Sequence, residues 1–315
     1  MLSKQTVFVL GAGASVPYGF STGATLVQKA RGLSVDEMHG KVSNQHGRHQ
    51  MQLIRNALQG NITSSIDAMF EHRKDLWLPL KKLMASLLYE EEVNAEDQYP
   101  PIDDDWLALI TDYMAEGAPT IEAFAKNPVS FISFNYDRLL EFRLARGLAL
   151  HYGKEDERAV WPALHALKIV HVHGSLGLLP DQVASTGRQL VPFGAKESAD
   201  TNWLGIALQQ VAQSIKLVHE ACNDDAPFAE AQQLLMQAQQ VFFFGFSFAR
   251  RNVVHLRTEL IPANSAVYCT TYGLTDAEVR DRLTQTFPQH GGTQRVQLGN
   301  LAIRKFLRNH VQIFR

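Results

Sequence analysis

Two cysteines in 315 residues, Cys222 and Cys269, are too few for a four-cysteine zinc ribbon or a disulfide framework. Such usage fits a reducing compartment, so a cytoplasmic protein is expected. An excess of charge of either sign is also missing: 30 Lys+Arg stand against 32 Asp+Glu, a formal charge of −2. With no global field to draw in a phosphodiester backbone, a nucleic-acid binder would need a local basic patch, and none is evident. Although 45% of the residues are hydrophobic, no segment approaches the roughly 18 uninterrupted apolar residues of a membrane span. The opening MLSKQTVFVLGAGAS breaks its apolar run with glycines after a few residues, too early for a signal peptide. Repeats and low-complexity tails are absent. What remains is a length suited to one large domain, or to a core with a substantial insertion.

Four short apolar, β-rich runs each lead into small or polar residues: Thr6 to Leu10, Val129 to Phe134, Lys168 to His173 and Val241 to Phe246. A fifth, Ala266 to Thr271, follows a predicted helix from Asn252 to Leu260. Buried parallel strands read this way, and strands separated by helical stretches predict an α/β, doubly wound parallel sheet. Ligands of such folds bind at the carboxyl ends of the strands. The 33–127 stretch is too long for one crossover helix and its apolar spacing is helical, so it is expected to be a helical insertion within a single 1–315 domain. Within it, QYPPIDDDW (Gln98 to Trp106) reads as a loop followed by an Asp-capped helix. A second irregular stretch runs from Leu179 to Asn202, and Ala221 to Gln240 returns to helix formers.

Four of the strand ends carry candidate chemistry. Gly11-Ala12-Gly13-Ala14-Ser15 lets a backbone approach a diphosphate, and the helix N-terminus expected to follow offers unpaired N–H groups to its negative charge; the alternative is a tight turn with no ligand. A dehydrogenase fingerprint wants a third glycine where this chain has Val16, and a P-loop wants a lysine that is missing. Ser133-Phe134-Asn135-Tyr136-Asp137 sets an amide beside an acid, suited either to orienting a hydroxyl or water or to capping the next helix. In Val170-His171-Val172-His173-Gly174, alternation predicts both histidines on one side of a strand. His173, at the glycine turn, can act as a general base, and His171 reads better as a satisfied buried side chain. A shared metal ion lacks further ligands at zinc-like spacing. Gly245-Phe246-Ser247-Phe248 offers contacts to a nucleoside, while Ala249 removes the last glycine of a hydrolase nucleophile elbow.

The order Gly-Ala-Gly-x-Ser, Phe-Asn-Tyr-Asp, His-Gly, Gly-x-Ser-Phe resembles the sirtuin superfamily, most closely the sirtuin-like domains of bacterial antiphage defence proteins. The resemblance runs from Phe8 to about Tyr272. It implies a Rossmann-like core that binds NAD+, with Gly11, Ala12, Gly13 and Ser15 toward the phosphates, Asn135 and Asp137 at the nicotinamide ribose, Gly245 and Ser247 along the adenosine half, and Thr22 and Gly174 as further cofactor-binding residues. His173, followed by Gly174, would be the catalytic histidine, and Asn135 would share the chemistry. Asp67 resembles a recurrent acidic position, although a helix-surface carboxylate explains it better.

Two departures separate branches of that family. Protein deacylases carry a zinc module of two C-x-x-C pairs, and this chain has too few cysteines for one. Their first motif also continues into Gly-Ile-Pro-Asp-Phe-Arg, where this chain has Gly19-Phe20-Ser21-Thr22-Gly23. The resemblance therefore implies hydrolysis of NAD+ to nicotinamide and ADP-ribose, with no metal, rather than deacylation. It further implies NAD+ depletion in defence, a homo-oligomer and a separate activating partner, a HerA-like ATPase before a short Argonaute. Alternatives are a non-catalytic NAD+ or ADP-ribose sensor, a scaffold subunit, or a nucleotide-binding module for DNA repair.

Overall fold

A computed structural model of the chain describes residues 2–42, 47–60, 70–177, 193, 201–220, 225–287 and 296–310. Strands β1 (Thr6–Leu10), β2 (Val129–Ser133), β3 (Lys168–His171), β4 (Gln240–Phe244), β5 (Ala266–Thr270) and β6 (Val296–Gly299) pair in parallel in the order β3-β2-β1-β4-β5-β6. The architecture is a Rossmann-like α/β fold. Strand order reverses between β1 and β4, and that reversal opens the ligand crevice of doubly wound sheets at the carboxyl edge.

Helices between β1 and β2 are α1 (Gly23–Gly32), α2 (Val35–Lys41), α3 (Arg48–Gly60), α4 (Trp77–Glu96), α5 (Trp106–Ala115) and α6 (Ile121–Phe124). After β2 come α7 (Leu139–His151) and α8 (Trp161–Ala166); between β3 and β4 lie α9 (Thr201–Ser214) and α10 (Ala226–Gln237). The remainder are α11 (Arg250–Leu256), α12 (Asp276–Thr286) and α13 (Ile303–Asn309).

β1, β2 and β4 are buried along their whole lengths, which is why their sequences run continuously apolar instead of alternating. Parallel register sets Phe8 opposite both Phe131 and Phe242, and the rings stack at 5.3 and 5.1 Å. Truncating one of these phenylalanines costs about 3–5 kcal/mol. Phe8, Phe131 and Phe242 point into a core with α5, α7 and α13, whereas Val7, Val9, Ile132, Val170 and Phe243 point to α10 and α12. A third core joins α1–α4 to α9 and takes no strand residue.

The five predicted strands are present, four of them one or two residues displaced at an end. β6 went unread because it is short, half exposed and ringed by polar residues. Arg257, at a left-handed φ of 56°, divides the predicted 252–260 helix into α11 and the 3-10 turn Thr258–Leu260. Packing also divides the 33–127 stretch: α2–α4 belong to the third core, but Trp106 of α5 and Phe124 of α6 are buried against the sheet. The Leu179 to Asn202 stretch lies outside the described residues, except for Phe193 and the start of α9. Among the described residues no helix is long and apolar enough to cross a membrane.

Candidate functional site

At the switch point the turns after β1 and β4 lock together backbone to backbone. The Gly11 amide donates to the Phe244 carbonyl (3.0 Å) and the Gly13 amide to that of Gly245 (3.1 Å). Gly245 sits at φ 57°, and a Cβ there would lie 2.1 Å from the Ala14 nitrogen. The glycines of the first and fourth motifs thus serve one loop-to-loop contact that no larger residue permits. Trp106 closes it from the side, its indole N–H donating to the Ala14 carbonyl at 2.8 Å.

The expected helix N-terminus behind Ser15 is absent. Two 3-10 turns follow, Ala12–Ala14 and Val16–Tyr18, with Pro17 suited to the second. The Ala14 and Ser15 amides donate to the carbonyls of Gly11 (2.9 Å) and Ala12 (3.1 Å). With the Gly11 and Gly13 amides also engaged, the turn does not present the cradle of free N–H groups expected for a diphosphate. Thr22 caps α1, its hydroxyl accepting from the Thr25 amide at 3.3 Å.

From this turn a polar network crosses to β2 and β3. The Asn135 side-chain nitrogen donates to the Gly11 carbonyl and to the Ser15 hydroxyl, both at 3.1 Å. Ser15 in turn donates to the Asp137 carboxylate at 3.1 and 3.2 Å. Asp137 also accepts from the amide of Leu139 (3.3 Å), the first residue of α7, whose N-cap position is held by Arg138. The Asn135 side-chain oxygen is buried and has no hydrogen-bond partner among the described residues. His171 bridges the Asn135 carbonyl, 2.9 Å from Nδ1, and the Glu141 carboxylate, 2.6 Å from Nε2.

Burial and the neighbouring Glu92 push Asp137 up to about 7, against the pull of Ser15 and His171. Burial alone would lower His171, but Glu141 and the Asn135 carbonyl overcome it and raise it to about 9. The same pairing holds Glu141 below the usual carboxylate range despite its burial. Beneath the network, Arg138 pairs with Glu92 at 2.5 Å, both side chains at most 4% exposed. The adjacent Glu91 accepts from the Ser21 amide (2.9 Å) and hydroxyl (2.6 Å). Glu91 and Glu92 of α4 escaped the sequence reading. Their available signal was a pair of acids inside a helix otherwise rich in apolar residues.

His173 does not share a side with His171. β3 ends at His171 and the chain turns, so His171 meets Glu141 of α7 while His173 meets Phe228 of α10, on the opposite face of the sheet. Alternation holds only while the strand lasts. The His173 ring, 2% exposed, is boxed by Phe134 and Phe228, each 5.5 Å between centroids, and Tyr136 at 6.4 Å. Among the described residues neither ring nitrogen has a hydrogen-bond partner. Burial chiefly, then His255, drives it down to about 4; the nearby Asn252 opposes the shift without forming a hydrogen bond of ordinary geometry. Gly174, at φ 78°, allows the turn, since a Cβ there would meet the Ser214 carbonyl at 1.9 Å. The Lys216 amide then donates to the His173 carbonyl at 2.8 Å, and Tyr136 donates to the Lys216 carbonyl at 2.7 Å.

Hydrogen bonds thus join Gly11, Ser15, Asn135 and Asp137 directly, with Ala12, Gly13 and Gly245 in the interlocked turns and His173 and Gly174 on the neighbouring strand end. Thr22 and the exposed Ser247 join no such bond to this group; the Ser247 carbonyl accepts from Arg282 at 2.8 Å. Asp67 lies outside the described residues. Among the described residues no three His, Cys, Asp or Glu side chains are grouped to hold a metal ion. Compared with protein-family models and with curated proteins, the chain matches none.

Proposed function

We propose that the chain hydrolyses NAD+ to nicotinamide and ADP-ribose at the carboxyl edge of the sheet. The observation that carries this reading is Asn135. Its side-chain nitrogen is fixed by two acceptors while its buried oxygen is unpartnered. A buried acceptor held in one orientation without a donor is suited to a ligand hydroxyl or a water. Departure of nicotinamide leaves an oxocarbenium-like ribose, and water adds to it. Asn135 orients that water or the ribose. His173, neutral at pH 7, has a ring nitrogen free to accept from a ribose hydroxyl. The engaged amides of the Gly11 turn leave the diphosphate to other donors, so positioning of the scissile bond rests on the ribose contacts.

At 2% exposure His173 must become accessible before it can meet a substrate. That closure fits a low basal turnover by the chain alone, which a partner raises by opening the site. The homo-oligomer, the HerA-like ATPase as partner and NAD+ depletion in antiphage defence are proposed on the motif resemblance, as is a cytoplasmic location. A second reading, NAD+ or ADP-ribose binding without turnover, is favoured by the weak basicity of His173. Incubation with NAD+ and chromatography of the products separates the two. Hydrolysis yields equal nicotinamide and ADP-ribose and is lost in Asn135→Ala and His173→Ala. A sensor binds nucleotide and leaves it intact.

A further inference from the structure

Phe134 and Tyr136 from the loop after β2, and Phe228 from the first turn of α10, wall the box around His173. One residue outside the box, Lys216, is bonded to the histidine, to one wall and to the helix that carries another. Its amide donates to the His173 carbonyl at 2.8 Å, and its carbonyl accepts from the Tyr136 hydroxyl at 2.7 Å. Its ammonium pairs at 2.8 Å with Asp225, the N-cap residue of α10, three positions before Phe228. Ile215 and Leu217, on either side, are at most 4% exposed and sit in the third core, against which Tyr136 also packs. The lysine backbone is thus pinned to that core. Phe228 belongs to a different one, with the strand residues that point to α10 and α12. The ion pair therefore ties two separately packed bodies across the box. It is the charged bond of the three, and with side chains 41% and 22% exposed, water and salt reach it.

We propose that Lys216 is the clasp of the site: its pair with Asp225 holds the first turn of α10, and with it Phe228, against the box, and breaking that pair lets the turn swing out and uncover His173. The two backbone bonds of Lys216 keep the histidine in place meanwhile, so one wall opens while the strand end stays. Turnover by the chain alone is then set by the fraction of molecules in which the clasp is open, and whatever competes for either charge raises it. For this effect on turnover the proposal rests on the reading of the site as an NAD+ hydrolase; the uncovering itself does not.

Diethyl pyrocarbonate, which acylates accessible imidazole, reads the opening at His173, with the modified residue located by mass spectrometry. His171, both of whose ring nitrogens are engaged, serves as the reference. Lys216→Met keeps an apolar stem and removes the charge, and Asp225→Asn keeps a capping residue at the start of α10. Each is expected to raise the rate of His173 modification about threefold to fivefold, the two together no more than either alone, and Lys216→Arg to leave it at the parent rate. In the parent, raising salt from about 0.05 M to about 1 M is expected to give a rise of the same size, and in Lys216→Met none. This salt series in the parent needs no substitution, so it decides the matter where a variant fails to fold. On the hydrolase reading, NAD+ cleavage rises by the same factor in both variants. Unchanged modification in Lys216→Met and Asp225→Asn, or a salt response that survives the loss of the lysine charge, overturns the clasp whatever becomes of NAD+. Uncovering of His173 with NAD+ left intact by every form upholds the clasp and removes the hydrolase reading.

Discussion

The two histidines of β3 and the turn that follows it stand two residues apart and meet opposite environments. On the α7 face His171 has both ring nitrogens engaged, one by a carboxylate and one by a carbonyl. On the α10 face His173 is buried among Phe134, Tyr136 and Phe228 with both nitrogens unpartnered. Burial penalises the charged form in both, yet one is pushed up to about 9 and the other down to about 4. The difference lies in pairing. A buried imidazole with a carboxylate is part of the scaffold, whereas one left without partners in an apolar box is a cost that a ligand can relieve.

The largest expected effect breaks the frame that both faces share. Gly245→Ala drives a methyl into the Ala14 backbone from a left-handed residue, and a loss of more than about 4 kcal/mol is expected. Soluble expression and circular dichroism check it. Next, His171→Leu leaves Glu141 buried and unpaired, for about 3–5 kcal/mol of destabilisation in urea unfolding. The pH response of the two faces then runs in opposite directions. His173 titrates near 6.5 unfolded and about 4 folded, so its contribution is complete above 6.5 and is lost as pH falls through 4. That limb is up to about 3 kcal/mol. It is read as the stability difference between parent and His173→Leu from pH 7 to 4. His171, raised to about 9, contributes fully below 6.5 and loses its contribution as pH rises through 9. The smallest effect is His173→Leu at pH 7, expected within about 1 kcal/mol of the parent or more stable, because it removes two unpartnered nitrogens. A large loss there would show that His173 belongs to the scaffold and would remove the contrast.

The sheet was legible because each buried parallel strand is a short apolar run closed by glycine or a polar residue, as in TVFVL before Gly11. The QYPPIDDDW reading also held, with Asp105 capping α5. Local pattern did not reach contacts made across the sheet. That Gly11 and Gly245 touch depends on β1 lying beside β4, and the period-two rule misassigned His173 because no residue in the sequence marks where β3 stops pairing. Glu92 was hidden because its partner, Arg138, is 46 residues away. Asn135 and Asp137 were legible as a pair whose use stayed open; both join the network, and the N-cap of α7 falls to Arg138, with Asp137 reaching the Leu139 amide from one position earlier.

Release of nicotinamide from NAD+ by the purified chain, compared with Asn135→Ala and His173→Ala, tests the central claim most directly. Stoichiometric nicotinamide and ADP-ribose from the parent, with each variant at least about a hundredfold slower, is the predicted result. Intact NAD+ with the parent, or variants that cleave as fast as the parent, would contradict it.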